Sequence, residues 1–130
     1  MESSTFLPVW IALGAIPGAL SRYYLTLFCT RKFGSSFPVG TFAINLSGSL
    51  LIGFLATLFQ SIHADPALTG LVIIGFLGSY TTFSTYALDL SNLLKRTRDD
   101  GYRRALLYGV GSPVAGLVGV AMGIALAQGF

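Results

Sequence analysis

The sequence predicts an all-α integral membrane protein, and three observations carry that expectation. Of the 130 residues, 53% are hydrophobic and only 10% are charged, against about 25% charged in a soluble domain. The apolar residues gather into four segments, each reaching the ~20 residues a helix needs to cross a bilayer core of ~30 Å. All eight lysines and arginines lie at the ends of those segments. The same composition excludes other classes. Cys29 is the single cysteine, so neither an intramolecular disulfide nor a cysteine metal cluster can form. With His63 the only histidine, a histidine metal site within one chain is equally excluded. The net charge of +3 is too small, and its residues too confined, for nucleic-acid binding.

The four spans form one membrane domain over residues 1–130. Span one covers about 6–28 and ends at Cys29-Thr30-Arg31-Lys32. It lacks the basic start and the A-x-A site of a signal peptide, so it reads as a span. Span two covers about 39–62, after the turn Gly34-Ser35-Ser36-Phe37-Pro38. Span three covers about 66–94 and is longer than a crossing needs, as an interrupted helix would be. Span four covers about 105–128. Small residues recur at helix-packing spacing: Gly14 with Gly18, Ser49 with Gly53, and Ala115 with Gly119 and Gly123. Such stripes let backbones approach closely. Four helices leave little room for a private pore, so a symmetric oligomer is expected.

Arg22, Arg31, Lys32, Lys95, Arg96, Arg98, Arg103 and Arg104 all fall on one side of a four-span chain. The positive-inside rule then places the first and third connections in the cytoplasm and both termini outside. Membrane-embedded charge is nearly absent. Asp89 reads as an ion-pairing or vestibule residue near the end of span three, with a transport carboxylate as the other reading. Arg22 reads either as a snorkelling anchor or as a charge drawing anions to an entrance.

Neutral polar groups say more. Thr41, Asn45 and Ser49 share one face of span two at i, i+4, i+8. Asn45 needs partners in an apolar run, through an interhelical hydrogen bond or as an amide donor facing a pore. Tyr108 and Ser112 share a face of span four. Pro113 frees a backbone carbonyl and favours a kink there. In span three, Gly75-Phe76-Leu77-Gly78-Ser79-Tyr80-Thr81-Thr82-Phe83-Ser84-Thr85-Tyr86 is poor helix material inside a greasy segment. Irregular backbone at bilayer depth survives only where protein buries it or it lines a cavity. Phe83 and Tyr86 become neighbours if helix resumes after the break. Their ring edges are positive, so with amide and hydroxyl donors they suit a small anion. A packing kink is the competing reading of the same residues.

The run Gly40-Thr41-Phe42-Ala43-Ile44-Asn45-Leu46-Ser47-Gly48-Ser49, followed by the span-three run above, resembles the Fluc (CrcB) fluoride channel family. The resemblance covers the whole chain, and the two motifs together are specific. It implies a fluoride-selective channel in the cell (inner) membrane, built as an antiparallel dual-topology dimer with two pathways. It also implies a structural sodium ion on the two-fold axis, held by main-chain carbonyls that map to Gly78 and Thr81. Pathway residues map to Asn45, Thr82, Phe83, Tyr86, Tyr108 and Ser112, and a vestibule arginine maps to Arg22. The chain departs from the family pattern at Tyr86, where Phe is usual, at Asp89, where Glu is commoner, and at Gly116, where a hydroxyl is often seen.

An antiparallel homodimer requires insertion both ways, which is easiest when the Lys/Arg bias is near zero. The one-sided bias here therefore leaves two partners open: a second copy of this chain, or an oppositely oriented homologous subunit. No residue set resembles a nucleophile with a base or a nucleotide loop, so no enzyme is expected. The alternative to a channel is a small coupled transporter for a cation or hydrophobic solute, working through Asp89.

Overall fold

The computed structural model describes residues 5–96 and 99–129, without the side chains of Asp99 and Asp100. Arg98, one of the expected basic residues of the third connection, lies outside the described residues. Among the described residues every regular element is helical. Helix α1 is Leu7–Phe33 and α2 is Val39–Ser61. Helix α3, residues 66–80, runs through Pro66–Thr69, a π-helical Gly70–Leu77 and a last turn at Gly78–Tyr80. Helices α4, Phe83–Leu94, and α5, Asp99–Gln128, complete the chain.

The ends follow local chemistry. Helix α1 runs past residue 28 because Thr30, Arg31 and Lys32 are compatible with helix, and the two cations suit its negative end. It stops at Gly34, whose φ of 78° lies in the left-handed region that glycine tolerates. Helix α3 starts at Asp65, whose carboxylate accepts from the Ala67 N–H at 2.7 Å, with Pro66 in the first helical position. Helix α5 begins several residues before 105, so Arg103 and Arg104 lie on helix rather than in a loop.

Three helical stretches are long and apolar enough to cross a membrane: Val39–Ser61, Pro66–Leu94 and Gly101–Gln128. Where the sequence reading counts four spans, length and composition support three. Helix α1 matches them in length at 27 residues, but Arg22, Tyr23 and Tyr24 dilute its apolar run. At most 28% of the residues in any of the three stretches are buried inside the chain. The apolar side chains are therefore mostly on the outside, where a protein in water would not keep them.

Packing is by backbone approach. The largest helix pairings are α2 with α5, and α1 with the π-helical part of α3. A Cβ on Gly14 would collide with the Leu71 carbonyl, and one on Gly18 with the Phe76 carbonyl. Gly53 and Gly123 stand in the same relation to Val120 and Leu50 across the α2–α5 contact. Two small cores result. Ile44, Leu77 and Tyr80 form one; Leu93, Ala105 and Tyr108 form the other. Arg96 ties the ends together, donating to the Ser36 carbonyl at 2.7 Å and the Ser35 carbonyl at 3.0 Å. The first and third connections thus lie at the same end.

Candidate ion pathway

Between α3 and α4 the helix is interrupted. Thr81 (φ −77°, ψ 155°) and Thr82 (φ −151°, ψ 122°) are extended. An extended pair in a helical run leaves backbone groups to be satisfied otherwise. Asn45 does this with both ends of its amide: Nδ2 donates to the Thr82 carbonyl and Oδ1 accepts from the Thr82 N–H, each at 2.8 Å. Thr82 then caps α4, its Oγ1 accepting from the Thr85 N–H at 3.2 Å and donating to Thr85 Oγ1 at 3.1 Å. Thr81 Oγ1 turns back to donate to the Leu77 carbonyl at 2.9 Å.

These bonds have a consequence for the carbonyls before the break. In a continuous helix the Thr82 N–H would donate to Gly78 and the Thr85 N–H to Thr81. Both donors are engaged elsewhere, by Asn45 and by Thr82 Oγ1. The Gly78 and Thr81 carbonyls are left without their helical partners.

Beside the break lies a groove of about 580 Å³, open along one side. Asn45, Ser49, Thr82, Phe83, Tyr86, Ser112 and Pro113 line it, among small and apolar neighbours. Ser112 Oγ is buried there and has no hydrogen-bond partner among the described residues. Phe83 stands at the rim, 80% exposed. Its ring centroid is 5.7 Å from that of Tyr86, which is 5.2 Å from Tyr108, which meets Phe37 edge-on at 5.6 Å. This row of rings leads to a second cavity of about 290 Å³, lined by Thr41, Thr85, Asp89, Asn92 and Arg96 at the end that Arg96 ties together. Asp89 Oδ2 accepts there from Thr41 Oγ1 at 2.7 Å and from Tyr108 Oη at 3.4 Å. The described residues contain no group of three or more His, Cys, Asp or Glu able to hold a metal.

The helices are apolar outside, and the groove beside the capped break has polar residues but no charged one in its lining. Comparison with known sequences decides the family. The model described as "CrcB-like protein, Camphor Resistance (CrcB)" matches residues 9–124. The chain belongs to the CrcB family. Among relatives, it is 45% identical over 129 residues to the fluoride-specific ion channel FluC of Synechocystis sp., covering 98% of this chain and 97% of that one. It is 44% identical over 123 residues to the FluC of Trichormus variabilis, covering 93% and 88%. It is 38% identical over 124 residues to that of Helicobacter pylori strain J99, covering 94% and 93%. With its long apolar helices, this CrcB-family chain is a multi-pass protein of the cell membrane.

Asn45, Thr82, Phe83, Tyr86 and Ser112 come together on one groove, and Tyr108 packs behind Tyr86. Of the two readings the sequence left open for Asn45, the hydrogen bond across the fold is present: its amide pairs with the Thr82 backbone. Asp89 lines the second cavity, and its partners among the described residues are hydroxyls rather than a cation. Arg22 is half-buried and lines neither cavity; its carbonyl accepts from Thr26 Oγ1 at 2.7 Å. Arg96 lines the second cavity. The Tyr86 hydroxyl, which a Phe at this position would lack, donates to the Gly109 carbonyl at 2.5 Å. Sequence reasoning missed Gly109, although a proline four residues later marks its carbonyl as unpartnered.

Proposed function

We propose that this CrcB-family chain is a fluoride-selective channel, through which fluoride leaves the cell down its own gradient. It is an ion channel, as its relatives are named, and not an enzyme. The observation that carries the reading is a groove with no charge in its lining, one of whose lining residues, Ser112, has a buried hydroxyl without a partner among the described residues. Fluoride is small and strongly hydrated, so a path must replace its water with donors. Ser112 Oγ, the second Asn45 amide hydrogen and the Phe83 ring edge supply them, while the Thr82 hydroxyl and N–H are held by Thr85 and Asn45. No full positive charge holds the ion, so it can leave.

The groove is open on the side where Phe83 is exposed. A second subunit closes it and narrows it against larger halides. The closing partner is an antiparallel copy of this chain or an oppositely oriented homologous subunit, giving two pathways per dimer with lipid around them. Helix α1 serves as the fourth span: Val9, Leu13, Ile16 and Leu20 are exposed along it as lipid-facing residues would be. The break then lies at bilayer depth, with the two basic connections cytoplasmic. The donor set at the break suits sodium, since the Gly78 and Thr81 carbonyls are hard, neutral oxygens without helical partners. Bound there by both subunits, the ion supplies positive potential and fixes the break.

Fluoride efflux from loaded liposomes containing the purified protein, read with a fluoride electrode, tests the reading. Absence of efflux, or chloride passing equally well, rejects it. Ser112→Ala removes an unpartnered donor and lowers the efflux rate about tenfold, the scale of one hydrogen bond to an ion. Asp89→Asn keeps an acceptor for Thr41 and Tyr108, so efflux stays within the same order of magnitude. A carrier coupled through that carboxylate would instead stop.

A further inference from the structure

We propose that the Tyr86 phenol serves the pathway as a cap on a backbone carbonyl and not as a ligand for the anion. The proposal rests on the channel reading above and deepens it. A proline within a helix has no N–H to give the carbonyl four residues earlier. In α5 that proline is Pro113 and that carbonyl belongs to Gly109. The Tyr86 Oη–H donates to this same oxygen from the neighbouring helix. Tyr86 and Pro113 both line the groove, as does Ser112, whose hydroxyl does not take the carbonyl as its acceptor.

The electrostatics give the bond its purpose. Gly109 does not itself line the groove, but its oxygen meets Tyr86, which does, and an unpartnered carbonyl so close behind the lining adds negative potential to a low-dielectric passage. For an anion that is a repulsive site, and poor solvation strengthens the repulsion. A phenol hydrogen placed on the oxygen cancels most of that potential. It also fixes the ring, holding the hydroxyl on Gly109 and so unavailable as a donor to the anion. A phenylalanine at position 86 would give the edge without the cap. That exchange suits a helix whose residue 113 has an N–H, and does not suit this one. Tyr86 is therefore a positioning residue whose value depends on Pro113.

The test is the unitary fluoride current of single channels in planar bilayers. That current does not depend on how many molecules fold, whereas a purely structural role changes only the number of active channels. Tyr86→Phe in the natural background lowers unitary current about tenfold, the scale of one uncompensated polar group. In a Pro113→Ala background the restored N–H at 113 covers Gly109, and adding Tyr86→Phe changes current by less than about twofold. An equal loss in both backgrounds overturns the proposal, because the phenol then acts on the anion itself. An unchanged current in Tyr86→Phe alone also overturns it, as does a silent Pro113→Ala channel. Absence of fluoride current in the unsubstituted protein instead rejects the channel reading on which the proposal rests.

Discussion

Phe83→Ile is expected to abolish fluoride efflux from liposomes while the protein still elutes at its native size. The residue follows the break directly and stands 80% exposed at the rim of the groove. Almost none of its surface contributes to the interior of the chain, so its loss costs the fold little. What it contributes is a ring edge, a weakly positive surface with no hydrogen to exchange. Isoleucine matches it in hydrophobicity and has no such edge, so a desolvated anion meets hydrocarbon instead. The tilted contact with Tyr86, at 5.7 Å between centroids, is lost too, while the Tyr86 ring stays held by Gly109. Phe83→Tyr or Phe83→Trp, which keep an edge, should retain part of the flux. Undiminished efflux in the isoleucine variant would remove Phe83 from the pathway.

Asn45→Ala produces the second large effect, and it reaches stability as well as flux. One side chain satisfies both the N–H and the C=O of Thr82, a residue only 7% exposed. Alanine leaves both groups unpaired, at about 1–3 kcal/mol each. The extended backbone at residues 81–82 then lacks what holds it open, and α3 and α4 lose their fixed relation. Efflux should fall to background, and the unfolding midpoint in detergent should drop. Asn45→Asp separates the two roles. It keeps the acceptor for the Thr82 N–H but sets an oxygen against the Thr82 carbonyl and a negative charge beside an anion path. It should therefore lose flux more completely than stability. An unfolding midpoint in Asn45→Ala equal to that of the natural protein would refute the clamp.

What could be read in the sequence was set by periodicity and composition. Apolar runs of spanning length, and the small and hydroxyl residues that interrupt one of them, are properties of consecutive residues. They located α2, α5 and the irregular backbone at Thr81 and Thr82. Partners across the fold are not such properties. Asn45 and Thr82 lie 37 residues apart, and nothing in either stretch names the other. The π-helical turn at Gly70–Leu77 was also invisible, because Gly-Leu-Val-Ile-Ile-Gly-Phe-Leu is apolar all round and has no face to give a period. Tyr86 is the clearest case. Its acceptor is a backbone oxygen, which has no letter in a sequence; only the position of Pro113 pointed to it. Arg22 lines neither cavity, and a charge near a span end looks the same in sequence whether it borders a cavity or the lipid.

The direct backbone contact between α1 and the π-helical turn has a consequence for how the molecule comes apart. Gly14 and Gly18 leave no side-chain layer there that could loosen gradually, and Gly53 and Gly123 do the same between α2 and α5. The chain is thus two tightly joined helix pairs with thinner contact between them. Cooperative opening follows the weakest line. Here that line runs between the pairs, through the amide of Asn45, so the residue that holds the break also holds the seam.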